Sequence, residues 1–345
     1  LVILALIQLG GLGFMTFITL TSMLLGKRLG LYDRKVLMQS AGNITLDGTA
    51  TLIRKIIPFT FVFEFAGAAL LAIRFIPEFG VLRGIYAAVF HAISAFCNAG
   101  FDLFGRFGAY SSLVPYVNNY YVQAVIMFMI ISGGLGFMVW VELCQWYQKR
   151  RLSLHAKVVL SFSVILWLGG ALGLGLMEWN NSATLGGLSV PGKVMASLFQ
   201  SVSTRTAGMN TVDLASCGTL SKLLMSVLQF IGAAPGSTGG GVKVTTFAVI
   251  ILTIRSVAQG RDDCVIADHH IESKTVYRAL TIIVLGAAAV IGSAIVVYYN
   301  TSDAVSVVDA IFESCSAFGT VGLSVGVTSQ LNNGCLLYTS DAADE

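Results

Sequence analysis

Three short segments carry the chemistry open to this sequence: Asn98-Ala99-Gly100-Phe101, Thr206-Ala207-Gly208-Met209 and Thr320-Val321-Gly322-Leu323. Each glycine is preceded, ten residues upstream, by an apolar residue: Phe90, Leu198 or Phe312. Glycine admits positive φ, so carbonyls around such a turn can face one axis and replace the hydration shell of a cation. No ring of charged side chains offers itself instead, because only Asp102 closely follows a turn and only Arg205 closely precedes one. Main-chain coordination is therefore expected from residues 98–101, 204–208 and 319–322, which adds Thr204 and Gly319 to the set. The structural alternative is that these glycines are packing elbows after short apolar helices, as any transporter could carry.

A second feature lies between the second and third turns. Gly232-Ala233-Ala234-Pro235-Gly236-Ser237-Thr238-Gly239-Gly240-Gly241 interrupts an apolar stretch over about 219–254. Neither half can cross a bilayer alone, so a discontinuous helix with an irregular loop near mid-membrane is expected, as is common along a transport path. The loop reads as a gate below the turns, with Ser237 and Thr238 offering hydroxyls to passing ions. Gly236-x-x-x-x-Gly241-Val242-Lys243 resembles a phosphate-binding loop, but Val242 displaces the lysine, Val244 replaces the Ser/Thr, and no strand precedes it. Lys243 is expected to line the inner vestibule or to snorkel toward the cytoplasmic interface.

The composition defines the elements that must hold these segments. Of 345 residues, 55% are hydrophobic and 11% charged, and the mean hydropathy is +0.79. A soluble domain carries about a quarter charged residues, so the chain reads as an all-α polytopic membrane protein. A net charge of +3 argues against a nucleic-acid partner. The six cysteines and four histidines show neither disulfide-framework nor metal-site spacing.

Apolar stretches near the roughly 20 residues needed for a crossing fall at about 1–25, 56–75, 119–147, 156–177, 219–254 and 279–299, giving six spans. Shorter ones at about 85–97, 192–204 and 306–318 suit re-entrant helices. Lys and Arg concentrate in segments 26–55, 148–157 and 255–278, which the positive-inside rule places in the cytoplasm. The re-entrant stretches then enter from outside, and each short helix points the negative end of its dipole at the turn beyond it. Gly10-Gly-Leu-Gly-Phe-Met15 recurs as Gly133-Gly-Leu-Gly-Phe-Met138, which marks an internal repeat. Glu64 inside a span is expected to make an ion pair or a hydrogen bond to a re-entrant helix. Arg205 is expected behind its turn, held by Asp213, Asp309 or Glu313.

At these residues the chain resembles the membrane subunit of the Trk/Ktr potassium-uptake family, on the side of its Ktr branch. The resemblance covers about 1–330 and rests on His91 to Phe101, Gln200 to Met209, Pro235 to Lys243 and Phe312 to Leu323, where Thr320-Val321-Gly322 also matches the start of the potassium-channel signature. It implies span–pore helix–span units repeated four times around a central ion pore, and uptake of K+ through a filter gated by 232–241. The corresponding segments are 1–55 (second span of repeat one), 56–155 (repeat two), 156–278 (repeat three), 279–330 (start of repeat four) and a polar tail at 331–345, expected to be non-native. The chain is accordingly expected to be a fragment, lacking the first pore loop and the last span. Also implied are the bacterial plasma membrane with its lipid, a homodimer, and a KtrA/TrkA-like cytosolic ring that binds the regulatory nucleotide, leaving no cofactor on this chain. Competing readings are an ion-coupled transporter of a small organic solute, which should carry polar side chains at the break, and a membrane enzyme, for which no nucleophile–base or metal constellation is visible.

Overall fold

The computed structural model describes residues 2–12, 46–108, 111–260, 265–266, 269–301 and 305–331. Eleven α-helices account for most of them: α1 (Val2–Leu12), α2 (Leu46–Phe79), α3 (Val81–Phe96), α4 (Tyr120–Gly134), α5 (Phe137–Lys149), α6 (Leu154–Glu178), α7 (Val190–Ser203), α8 (Thr219–Phe230), α9 (Val244–Ala258), α10 (Ser273–Asn300) and α11 (Val307–Phe318). The β-structure described is a two-residue antiparallel hairpin, Val265–Ile266 with His269–His270.

Three helical stretches are long and apolar enough to cross a membrane unbroken: Ile56–Phe79, Leu154–Glu178 and Ser273–Asn300. Their outward faces carry exposed Phe61, Phe65, Leu168, Leu172, Leu285 and Ile291, a coat that water would not tolerate and that lipid requires. The expected span 1–25 is described only over α1, and most of the basic segment 26–55 lies outside the described residues. Where that segment is described it is already helical, because α2 begins at Leu46.

The three short stretches form short helices, as expected. α3, α7 and α11 have 16, 14 and 12 residues, and at about 1.5 Å per residue none spans a roughly 30 Å core. Each packs against the long helix before it: α3 on α2, α7 on α6, α11 on α10. Their starts are locally encoded. Ser189 accepts from Gly192 N at 3.3 Å, and Ser306 and Asp309 form a reciprocal capping box.

The stretch 119–147 departs from the expected continuous span. It breaks at Leu135-Gly136 into α4 and α5, which lie 100° apart. Gly136 has φ +86, and the groups freed by the break are taken by another segment: Gly134 O accepts from Ala234 N at 3.0 Å, Gly133 O from Thr238 N at 3.3 Å, and Phe137 N donates to Gly236 O at 3.0 Å. Irregular backbone at membrane depth persists only with such partners. The expected break in 219–254 is present between α8 and α9.

Glu64 meets the hydrogen-bond expectation. Its Oε1 accepts from Gln8 Nε2 at 2.9 Å and from Cys97 Sγ at 3.8 Å, tying α1 and α2 to the residue that ends α3. Among the described residues the cysteines are free, and no group of three or more His, Cys, Asp or Glu could hold a metal ion.

Candidate functional site

The C-termini of α3, α7 and α11 deliver the three turns to one place. Each turn has two residues of positive φ with an ordinary one between: Asn98 (51°) and Gly100 (74°), Thr206 (83°) and Gly208 (75°), Thr320 (52°) and Gly322 (86°). Each turn is braced from its own helix, with Ala99 N donating to Ser94 O at 2.9 Å, Ala207 N to Ser203 O at 2.9 Å and Val321 N to Ser316 O at 2.8 Å. A threonine at positive φ is strained, at about 1–3 kcal/mol per residue, and such strain gathers at functional sites.

The turns also touch one another. A Cβ on Gly100 would lie 3.0 Å from Ala207 O, 3.2 Å from Gly208 Cα and 3.4 Å from Val321 O, and one on Gly208 would collide with Val321 O. Only glycine fits at those two points. Gly100, Gly208 and Gly322 line a single open cavity of about 340 Å3, shared with Asp102, Asp213 and Asn210. Asp102 Oδ1 accepts from Phe104 N at 2.7 Å, and burial holds its carboxyl above the ordinary aspartate range.

The expected residues divide accordingly. Asn98–Gly100, Thr206–Gly208 and Thr320–Gly322 come together. Phe101 is turned away, its carbonyl accepting from Ser94 Oγ at 2.7 Å, just as Met209 O accepts from Ser203 Oγ. Thr204 caps α7 with its hydroxyl on Gln200 O, and Gly319 caps α11, where a Cβ would lie 2.5 Å from Gln229 O. Thr204, Arg205 and Gly319 therefore sit behind the meeting point.

The loop 232–241 lies directly beneath. Its neck is closed by a parallel bridge between Ile231 and Val242, with Gly232 N on Val242 O at 2.9 Å. A Cβ on Gly239 would strike Thr206 Oγ1 and one on Gly240 would strike Thr320 Oγ1, while Thr238 Oγ1 accepts from Asn98 Nδ2 at 2.8 Å. The loop thus touches the first residue of all three turns. Its tip, Ala234 to Thr238, rests on the break between α4 and α5. The Gly-Gly-Leu-Gly run, expected only to mark an internal repeat, also supplies this seat.

Ser237 Oγ donates to Ala234 O at 2.6 Å and Thr238 Oγ1 to Phe96 O at 3.0 Å, which leaves an oxygen lone pair on each hydroxyl. Two expectations about charged side chains are corrected. Lys243 Nζ turns back to Gly239 O at 2.7 Å and does not line a vestibule. Among the described residues Arg205 meets no acid. Asp213 holds Ser216, Asp309 pairs with Lys222 at 2.7 Å, and Glu313 binds Ser324, Thr328 and the Val325 and Val327 amides. Arg205 instead donates to Gly232 O at 2.9 Å and, from Nε, to Ile231 O at 3.5 Å, with its guanidinium 5.6 Å from the Trp167 ring centre.

Apolar helices gathered around three convergent turns fit a multi-pass membrane transport protein. The TrkH family, described as cation transport protein, matches residues 1–337, and the chain belongs to it. It is 36% identical over 330 residues to Ktr system potassium uptake protein B of Bacillus subtilis, covering 96% of this chain and 73% of that protein. To potassium/sodium uptake protein NtpJ of Enterococcus hirae it is 35% identical over 331 residues, covering 95% and 72%. The potassium transporter TrkH of Vibrio parahaemolyticus shares the fold, with a TM-score of 0.66 at 17% identity over 98% of this chain and 67% of that one. The relatives and the apolar helices make this a multi-pass protein of the bacterial inner membrane.

Proposed function

We propose that the chain is the pore-forming subunit of a potassium-uptake system, in which carbonyls of residues 98–100, 206–208 and 320–322 replace the hydration shell of K+ and the loop 232–241 closes the path beneath them. The observation that carries this reading is that three turns of matching backbone conformation line one cavity while a single loop touches the first residue of each. K+ enters the cavity past Asp102 and Asp213, sheds water at the glycines, and passes once the loop withdraws. A solute transporter would need several free polar side chains at the helix break, whereas the Lys243 ammonium there is bonded to Gly239 O.

The basic segments 148–157 and 255–278 suit docking of a cytosolic regulatory ring that carries the nucleotide, the chain itself needing no cofactor, and the working unit is a homodimer. The test is uptake of rubidium and sodium into proteoliposomes by the complete gene product. Rubidium uptake that exceeds sodium uptake supports the reading; solute-dependent uptake with no rubidium entry in a folded preparation contradicts it.

A further inference from the structure

Arg205 is a buried guanidinium at membrane depth with no carboxylate on it among the described residues. Its surroundings come from three elements: Trp167 on α6 beneath its plane, its own position at the end of α7, and the carbonyls of Ile231 and Gly232 just past the end of α8. Its Nη1 has no hydrogen-bond partner.

The break after α8 explains why a cation belongs there. The last carbonyls of a helix have no partners within it, and where no water reaches them they must be met by something else. They also carry the negative end of the helix dipole, and half-helix ends of this kind coordinate transported cations in broken-helix transporters. Directly below the turn of repeat three, such an end would trap the permeant ion. Arg205 fills that place with a charge of the protein's own.

We propose that the Arg205 side chain is a positioning residue that anchors the neck of the 232–241 loop to the repeat-three turn, and so holds the loop under the three turns in its obstructing position. The inference rests on the gate reading above and deepens it. The neck bridge between Ile231 and Val242 and the bond from Lys243 to Gly239 are internal to the loop and its flanks, so neither fixes it to the turns. Asn98 ties the loop's tip to the first turn through Thr238, and Arg205 ties its neck to the turn of repeat three, one residue from Thr206, whose hydroxyl faces Gly239.

The test is a double-mutant cycle on the complete gene product in proteoliposomes, read as basal rubidium uptake and as the rubidium-to-sodium ratio. Arg205→Gln and Arg205→Lys are each placed in the native background and in one lacking Gly239 to Gly241. Expected is a rise in basal uptake of roughly tenfold for Arg205→Gln, the worth of about one charged hydrogen bond. A smaller rise is expected for Arg205→Lys, which keeps the charge and one reachable carbonyl. The ion ratio should stay unchanged in both, and neither substitution should add to the deletion. If Arg205→Gln does not fold, the intermediate rise in Arg205→Lys and its disappearance in the deletion background carry the same test. A rise that persists undiminished in the deletion background, or a lost ion ratio, would show that Arg205 acts on the turn itself and overturn the proposal. Native uptake in both substitutions, with the deletion still raising uptake, overturns it as well. A deletion that leaves basal uptake unchanged sinks the gate reading instead.

Discussion

At the scale of single residues, the site is built from backbone conformations that most side chains resist. Thr206 and Thr320 hold positive φ although β-branched residues seldom do, and they hold it because their own pore helices brace the next amide and the loop below packs on their side chains. Asn98, in the equivalent place, adds a hydrogen bond to Thr238. Sequence alone revealed the glycines, since only they recur identically. The residue two places earlier varies between Asn and Thr, so its shared conformation was hidden. Asp102 gives the residue-scale prediction. Its carboxyl titrates above the ordinary aspartate range because it is partly buried, so it loses its charge at a higher pH than an exposed aspartate does. The half-saturating rubidium concentration should rise several-fold on acidification, beginning at a higher pH than an exposed aspartate would give, through loss of electrostatic attraction at the mouth. Asp102→Asn should raise it at higher pH toward the value the native protein reaches in acid, and so flatten the profile; an unaltered pH profile in that variant counts against the carboxylate.

At the scale of elements, the short helices and the broken span were legible because their lengths and their glycine and proline content differ from those of crossing helices. The right angle between α4 and α5 was not. Its apolar run is long enough to cross, and Gly-Gly-Leu-Gly reads equally well as a surface for close helix packing. What breaks it is tertiary: the carbonyls of Gly133 and Gly134 and the amide of Phe137 bond to the loop between α8 and α9 in place of their own helix. The partners of Arg205 were illegible for a related reason, since backbone carbonyls leave no mark in residue type and acids do. The α4–α5 break is thus the seat of the loop's tip. Gly136→Ala would place a side chain 2.7 Å from Pro235 O at φ +86, and the conformation alone costs about 1–2 kcal/mol. Basal rubidium uptake should rise several-fold with the rubidium-to-sodium ratio retained; native basal uptake would mean that the tip does not depend on this seat.

At the scale of the whole molecule, three helix-turn units and one loop make a single point of contact, each brought there by a long helix whose other face meets lipid. Membership of the cation transport family accounts for that plan, and the convergence of Gly100, Gly208 and Gly322 on one cavity gives it a chemical purpose. The class, the repeat and the approximate register of the turns could all be read from the sequence because they depend on composition and recurrence. The narrowing of the site to three residues per turn could not, because it depends on which carbonyls Ser94 and Ser203 hold back.

The account turns on those carbonyls meeting around one ion path, and Gly208 is where they are most crowded. A methyl group there collides with the Val321 carbonyl and is strained by φ +75, whereas at Gly322 no atom lies within 4 Å of an added Cβ and only the φ of +86 opposes it. The most direct measurement is the rubidium-to-sodium uptake ratio of Gly208→Ala in proteoliposomes, with Gly322→Ser beside it. The ratio should collapse toward one in Gly208→Ala and fall less in Gly322→Ser. A folded Gly208→Ala protein that keeps the native ratio and rate would contradict the assignment of the ion path to these turns.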